Sequence, residues 1–314
     1  MADRFTEVTT RSWGSRVGGS FKGILVGLIF TVAAFPLLWW NEGRAIDRTH
    51  TIAEARRAVV EVGSESVDPA REGAIIHLAG LATTQEVLSD PLFAVSAPAI
   101  QLRRQVEMYQ WTERKSSKTT TNVGGSETTE TTYSYAKAWS ERWIDSSQFR
   151  HPADHSNPSG MPYASETWQA SRVTLGAFQL APVFVEQIDS FQAHPVTETA
   201  RAPAGFTAYG GGYYKGSPEA PAVGDLRVSF SVAMPTQVSL IGRQQGQGVG
   251  TARLVKGTID LLELGSVDSM SMLANADSSN RVLTWLIRIG GFLLLWIGLG
   301  ISLAPLRVLA DVVP

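Results

Sequence analysis

Gly23–Trp40 limits this chain's choices more than any other stretch, because it holds eighteen consecutive uncharged, mostly apolar residues. A helix rising 1.5 Å per residue carries such a run over about 27 Å, close to the hydrocarbon thickness of a bilayer. The run stops at Trp39 and Trp40, and Asn41-Glu42-Gly43-Arg44 follows at once. Paired tryptophans and then charge are the pattern of a helix leaving lipid, so Trp39 and Trp40 are read as interface anchors. The four residues after them are read as a joint at the membrane exit, with Gly43 permitting a change of direction. The chain reads as a membrane protein.

A second run, Val282–Leu306, has the same character: eighteen uncharged residues lie between Arg288 and Arg307. Trp285 sits near its start, and Arg288 is placed for snorkelling to the headgroups rather than for a role inside a span. One span at each end leaves residues 41–281 as a single large domain on one side, with both termini on the other. Residues 1–22 carry Arg4, Arg11, Arg16 and Lys22 against Asp3 and Glu7, which favours a cytoplasmic N-terminus and an extracytoplasmic domain. Bulky and charged residues follow the first run where a signal peptidase would need small ones, so the run is read as an uncleaved anchor. Residues 307–314 end in apolar sequence, as if a further membrane region should follow.

Gly19, Gly23 and Gly27 fall four apart and share one helix face, where small residues let two backbones approach closely. They are candidates for helix–helix packing and for contact between copies. Thr51–Glu54 reads as a capping box that opens a separate short helix through about Ala58.

The residues between the spans change period. Glu72–Gly80 reads as a strand, and Asp90-Pro91 as a turn. From Ile100 onward Leu102, Val106 and Met108 alternate with Arg103, Gln105, Glu107, Tyr109 and Trp111, as a long amphipathic strand requires. Residues 116–132 are dominated by serine and threonine and read as a mobile hairpin tip, with Tyr133, Tyr135, Lys137 and Trp139 on the return arm. Strands are further predicted near residues 171–175, 225–233, 237–243 and 251–262, and helical spacing near 178–191. The fold class expected is α-helical membrane spans plus a large α+β extracytoplasmic domain with an antiparallel β-rich core.

Composition narrows the function. Cysteine is absent, which excludes disulfides, zinc–thiolate sites and cysteine nucleophiles, and the net charge of −2 argues against nucleic acid as a partner. The sequence shows no phosphate-binding glycine loop, Gly-x-Ser-x-Gly or His-Glu-x-x-His pattern. His151, Asp154 and His155 are the one cluster of metal-type ligands, and their proline-rich surroundings read as a solvated loop. Catalytic, cofactor-binding and metal residues are therefore assigned to none, and no cofactor is expected. Arg103, Arg104 and Glu107 read as surface or inter-subunit charges.

Several stretches together resemble the transmembrane protein 43 family, also called LUMA. They are Leu38-Trp-Trp-Asn41-Glu-Gly-Arg44, Asp90-Pro-Leu-Phe93, Leu102-Arg-Arg-Gln-Val-Glu-Met-Tyr-Gln-Trp111, Gly224-Asp-Leu-Arg-Val-Ser-Phe230 and Leu283-Thr-Trp-Leu-Ile-Arg288. The resemblance implies an integral membrane protein that self-associates and organises membrane protein complexes, with a large domain between its first and second spans. It also implies four spans, where this sequence shows two. The sequence has a bacterial flavour, which would place the protein in the inner membrane with a periplasmic domain. A eukaryotic source would place it in the endoplasmic reticulum or inner nuclear membrane. The partners expected are the lipid bilayer, further copies of the chain and other membrane proteins. A non-enzymatic scaffold is the leading function. An oligomeric channel or transport component is the alternative, and an extracytoplasmic hydrolase or lipid-modifying enzyme a further one.

Overall fold

The computed structural model describes residues 3–197 and 203–310. Its contacts divide the chain into two compact units, one of Met1–Asp47, Thr112–Ala136 and Ser279–Pro314, the other of Arg48–Trp111 and Lys137–Ser278.

The first unit is built on two long helices, Trp13–Ala58 and Ser269–Ser302, followed by the short helix Ala304–Ala310. Leu25, Ile29, Phe35, Trp39, Leu286 and Trp296 lie on their surfaces, solvent-accessible in the isolated chain. A helix apolar on all sides with that surface uncovered is suited to lipid. Both helices are longer than the apolar runs within them. The first runs unbroken through Asn41–Arg44 and continues to Ala58, so the helix does not end before Gly43 and no separate helix opens at Thr51. Glycine within a helix costs only about 1 kcal/mol. The bonds that Asn41, Glu42 and Arg44 make across to the second helix, described below, outweigh it. Pro36 is also accommodated within the helix. The second helix starts at Ser269 because the Asp268 carboxylate accepts from the Ser271 amide at 2.9 Å, an ordinary N-cap.

The same unit contains a three-stranded ribbon. The strand Asp3–Arg11 runs antiparallel to the return arm of the hairpin, with nine pairs from Asp3↔Tyr135 to Arg11↔Glu127. The return arm, Glu127–Ser140, in turn pairs with the outgoing strand Gln101–Thr121. Between them Gly124 and Gly125 turn the chain at φ +88° and +77°, values that favour glycine. Serine and threonine hydroxyls pair across the arms, Ser117 with Thr131 at 3.1 Å and Thr119 with Thr129 at 3.0 Å. The sequence reads residues 1–22 as a cytoplasmic segment and 116–132 as a mobile tip of the domain on the other side; in the structure Asp3–Arg11 and residues 127–135 share one sheet. Phe5, Thr6, Val8, Thr9 and Thr10 carry β-propensity that is easily overlooked beside the charges.

The second unit is antiparallel and β-rich. Leu226–Ala233 pairs with the outgoing strand from Gln101↔Ala233 to Met108↔Leu226, and the hairpin Thr207–Tyr209/Gly212–Lys215 extends that sheet. A second sheet closes on itself. Thr236–Gln245 pairs with Ile75–Thr83 over eight residues and with Gly248–Gly250. Gly248–Gly250 then joins Phe178–Leu180, which returns through Thr174–Leu175 to Ile75–Thr83. The core lies between the two sheets and includes Leu78, Leu102, Val106, Met108, Phe178, Val228, Phe230 and Leu240. A smaller core joins Ile52 and Ala55 of the first helix to Met272 and Leu273 of the second around Ile75, Ile241, Ala252 and Ile259. The alternation read from residue 102 is borne out, with one exception. Arg104 stands on the inward face and is 1% exposed.

Candidate functional site

In the membrane unit the two long helices meet along a seam with two parts. The lower part is steric. A Cβ built on Gly27 would lie 2.5 Å from the Gly298 carbonyl oxygen, and one on Gly298 would lie 2.6 Å from Thr31 Oγ1. Gly291 faces Leu38 in the same way, and Gly23 faces Ile301 at 3.3 Å, whereas Gly19 has nothing within 4 Å. Glycine lets the backbones approach where packing, not the hydrophobic effect, drives association in lipid. Of the three glycines on the predicted face, Gly23 and Gly27 are thus directed at the second helix of the same chain.

The upper part is polar. Asn41 Nδ2 donates to the Thr284 carbonyl at 3.1 Å, and Asn41 is fully buried. The Arg44 guanidinium donates to Asn280 Oδ1 at 3.0 Å, to Thr284 Oγ1 at 2.9 Å and to Asn41 Oδ1 at 3.2 Å. Thr284 Oγ1 donates onward to the Asn280 carbonyl at 2.7 Å, and Asn280 Nδ2 donates back to the Ala45 carbonyl at 3.1 Å. One turn beyond, Arg288 forms a two-pronged pair with Glu42, both bonds at 2.7 Å, and lies 5.0 Å over the Trp285 ring. A fork-to-fork guanidinium–carboxylate pair fixes geometry as well as charge. The residues read as an exit joint therefore clamp two helices together. Trp39, Trp40 and Trp285 point outward, at 84%, 57% and 60% exposure, as aromatic anchors do. Asn280 and Thr284 were missed from the sequence, although i and i+4 polar residues at the start of an apolar run carry a signal.

The other unit holds three features that sequence reasoning also missed. First, Asp90 and Arg104 pair at 2.7 Å, both fully buried, while Asp90 Oδ1 accepts from the Leu92 and Phe93 amides at 2.9 and 3.3 Å. Glu166 takes a further arginine bond at 3.0 Å, and Arg104 lies over the Phe93 and Trp168 rings. Arg104 is thus a core residue and not a surface charge, because the Asp90-Pro91 turn supplies its counter-ion from within. Second, His155 is buried edge-on against Trp111, with Nδ1 2.9 Å from the His151 carbonyl oxygen, while Pro152, Ala153, Asp154 and Ser156 beside it are exposed, so one side chain of an otherwise solvated loop turns inward. Among the described residues no three His, Cys, Asp or Glu side chains are grouped to hold a metal.

The third feature is a cleft of about 400 Å³ on the outer face of the first sheet, lined by Trp139, Tyr209, Tyr214, Pro221, Glu107 and Arg227 among others. Tyr214, Arg227 and Glu107 are consecutive cross-strand neighbours. Arg227 is bonded to Glu107 by two contacts of 2.5 and 2.9 Å and lies 4.7 Å over the Trp139 ring. Burial, and then a hydrogen bond donated to Asp225, push the Tyr214 phenol up to about 12.

Two apolar helices long enough to cross a bilayer, held to each other and joined to an antiparallel β-rich domain, define an integral membrane protein with most of its mass between two spans. A family described as Transmembrane protein 43 matches residues 108–314. The mouse and human proteins named Transmembrane protein 43 are each 33% identical over 312 residues, covering 95% of this chain and 78% of the relative. The Drosophila melanogaster Transmembrane protein 43 homolog is 31% identical over 297 residues, covering 92% and 79%. The chain belongs to the transmembrane protein 43 family. No solved structure matches it.

Proposed function

We propose that the protein is a non-enzymatic scaffold of the membrane that self-assembles and organises other membrane proteins. The observation that carries this reading is the composition of the membrane unit. Two lipid-facing helices are locked to each other by a buried polar network, and the same compact unit carries a three-stranded ribbon rich in serine and threonine. Such a unit is a rigid frame that presents polar backbone and side chains next to lipid, and lipid cannot satisfy them. Light scattering of the full chain in detergent tests the reading, and a strict monomer would remove it. We place the β-rich unit, Arg48–Trp111 with Lys137–Ser278, on the extracytoplasmic side, the periplasm if the source is bacterial. A membrane-impermeant thiol reagent on a Val255→Cys variant in intact cells reads that placement, because Val255 is 83% exposed. No labelling until the membrane is broken would reverse the orientation.

The ribbon also favours a second reading, a conduction path formed between copies. Its hydroxyl-rich faces suit water better than lipid. Ion flux in proteoliposomes that a blocker abolishes would select it over the scaffold.

A further inference from the structure

One buried side chain, His77, touches both the strand that follows the first long helix and the linker that leads into the second. The first helix ends at Ala58, and Val60–Glu61 then lies parallel to Ile76 and His77 in the second sheet. The second helix begins at Ser269, and residues 265–268 before it lie along the strand Thr236–Gln245. The Gly265 amide donates to the Gln237 carbonyl at 2.7 Å. The buried Ser239 hydroxyl donates to the Gly265 carbonyl at 3.0 Å and accepts from the Val267 amide at 2.9 Å. The Val267 carbonyl meets His77. All of these residues belong to the β-rich unit.

His77 is 5% exposed, and both of its ring nitrogens face acceptors. Nδ1 bonds the Glu61 carboxylate, and Nε2 lies 2.9 Å from the Val267 carbonyl oxygen. A carbonyl oxygen has no proton to give, and an ionised carboxylate has none either. Burial pushes the Glu61 carboxyl up, but hydrogen bonds from Ser269 and His77 outweigh that and keep it below 4.5. A neutral imidazole carries one N–H and one lone pair, so it satisfies only one of these two acceptors. The imidazolium, a donor at both nitrogens, satisfies both.

The other charged groups on the elements packed around the ring are engaged elsewhere. Asp268 caps the second helix through the Ser271 amide, and Glu263 accepts from Asn275. Glu54 of the first helix accepts from the Val255 amide, and Arg243 of the neighbouring strand donates to the Arg253 carbonyl. Arg56 and Arg57, in the last turn of the first helix, are exposed. Among the described residues Glu61 is the charge paired with the ring.

We propose that His77 is a proton-operated latch: charged, it ties the linker of the second helix to the strand that follows the first, and neutral, it releases that linker. Imidazole is the side chain whose charge ordinarily changes between pH 5 and 8, and buried histidines of this kind switch contacts in pH sensors. The bond to a carboxylate is the stronger of the two, as charge-assisted bonds are, so the proton that leaves comes from Nε2. The Val267 carbonyl then faces a lone pair. The hold is complete where Glu61 is ionised and the ring is charged, and it is lost as pH rises and the second ring proton leaves. The grip of the β-rich unit on the start of the second helix therefore follows the pH around that unit. The inference stands apart from the self-assembly proposed above.

Nitrogen NMR of the full chain in detergent, labelled at its histidines, counts the protons on each ring nitrogen. His77→Gln identifies the His77 signals among the five histidines. Hydrogen exchange read by mass spectrometry, corrected for the intrinsic pH dependence of exchange, follows the amides of residues 265–273 in the same samples. The expected result is a proton on both nitrogens at about pH 5.5 and on Nδ1 alone at about pH 8. Protection at residues 265–273 falls about tenfold over the same step, as the loss of a bond from a charged donor predicts, and His77→Gln shows no step. Glu61→Gln removes the charge but keeps an acceptor at a side chain that is 64% exposed, so it folds and its step moves to lower pH. Should His77→Gln fail to fold, the histidine signal that moves in Glu61→Gln is that of His77. A ring neutral at about pH 5.5, or one holding both protons at about pH 8, would overturn the latch. So would a neutral ring protonated at Nε2, or a titration that leaves protection unchanged.

Discussion

Gly27→Val tests whether close approach at the seam is what holds the membrane unit together. A Cβ at this position would sit 2.5 Å from the Gly298 carbonyl oxygen, 2.5 Å from Ser302 Oγ and 2.7 Å from the Ser302 amide nitrogen. Two of the three are backbone atoms and cannot rotate away. Restoring ordinary contact at 3.4 Å needs the helices to part by about 0.9 Å locally. A gap of that size forfeits a quarter to a half of the dispersion energy at each neighbouring contact. Overpacking of this kind costs about 1–3 kcal/mol, and valine adds two methyl groups to the clash, so about 3 kcal/mol is expected. Gly27→Ala recovers about 1 kcal/mol from helix propensity and is expected to be less harmful. Gly19→Ala meets open space and collects that propensity gain without a clash. Tryptophan fluorescence melts of the detergent-purified protein check the series. A loss of 3 kcal/mol lowers the midpoint by about 12–24 °C for a folding unit of about 100 residues, the size of the membrane unit. Gly27→Val melting with Gly19→Ala would show that the helices do not approach as described, and the steric account of the seam would fail.

Asp90→Ala should be among the most damaging single changes in the β-rich unit. It strands a buried guanidinium and leaves two amides without their acceptor, a loss of about 3–5 kcal/mol by urea denaturation. A loss below about 1 kcal/mol would mean that Glu166 alone suffices. Tyr214 should ionise late. Its pKa is raised from 10.0 to about 12, so the stability it contributes is whole below pH 10 and is lost as pH rises toward 12. A tyrosinate absorbance titration should lose a late-titrating group in Tyr214→Phe; an unchanged curve would contradict the Asp225 bond. Glu61 behaves in the opposite sense. Burial pushes its carboxyl up, but hydrogen bonds from Ser269 and His77 outweigh that and hold it below 4.5. Its contribution is therefore present above pH 4.5 and is lost on acidification through the lowered value, and Glu61→Gln should flatten the acid limb of the melting profile.

How much of this was legible in the sequence depended on the range of the interaction involved. Eighteen apolar residues in a row, or the alternation from Leu102 to Met108, state their environment locally, because helix and strand periods are local properties. The two apolar helices and the antiparallel β-rich domain followed from such signals, and the motifs that suggested the family lie partly in the core those signals build. Phe93 packs against Tyr213 and Phe230, and Val106 pairs with Val228. Element ends were less legible. Trp13–Ala58 reads as an apolar span, a glycine-containing joint and a capped short helix, because the bonds that keep it continuous come from residues more than two hundred positions away.

Polar residues were the hardest to place. Arg104, His155 and Asn41 carry no local sign of burial. Each is buried because a distant residue provides a counter-charge, a ring or a carbonyl, and the cost of desolvation is met only when that partner arrives. The N-terminal strand is a similar case, since Asp3–Arg11 acquires its ladder from residues 127–135. By itself the sequence determined the two apolar helices, the antiparallel β-rich domain and the family, because hydrophobic pattern and local propensity set those. Tertiary structure alone decided that the exit residues clamp the two helices and that the hairpin belongs with the membrane unit. Close approach, ion pairing and strand pairing are properties of two distant segments at once, and neither segment encodes them alone.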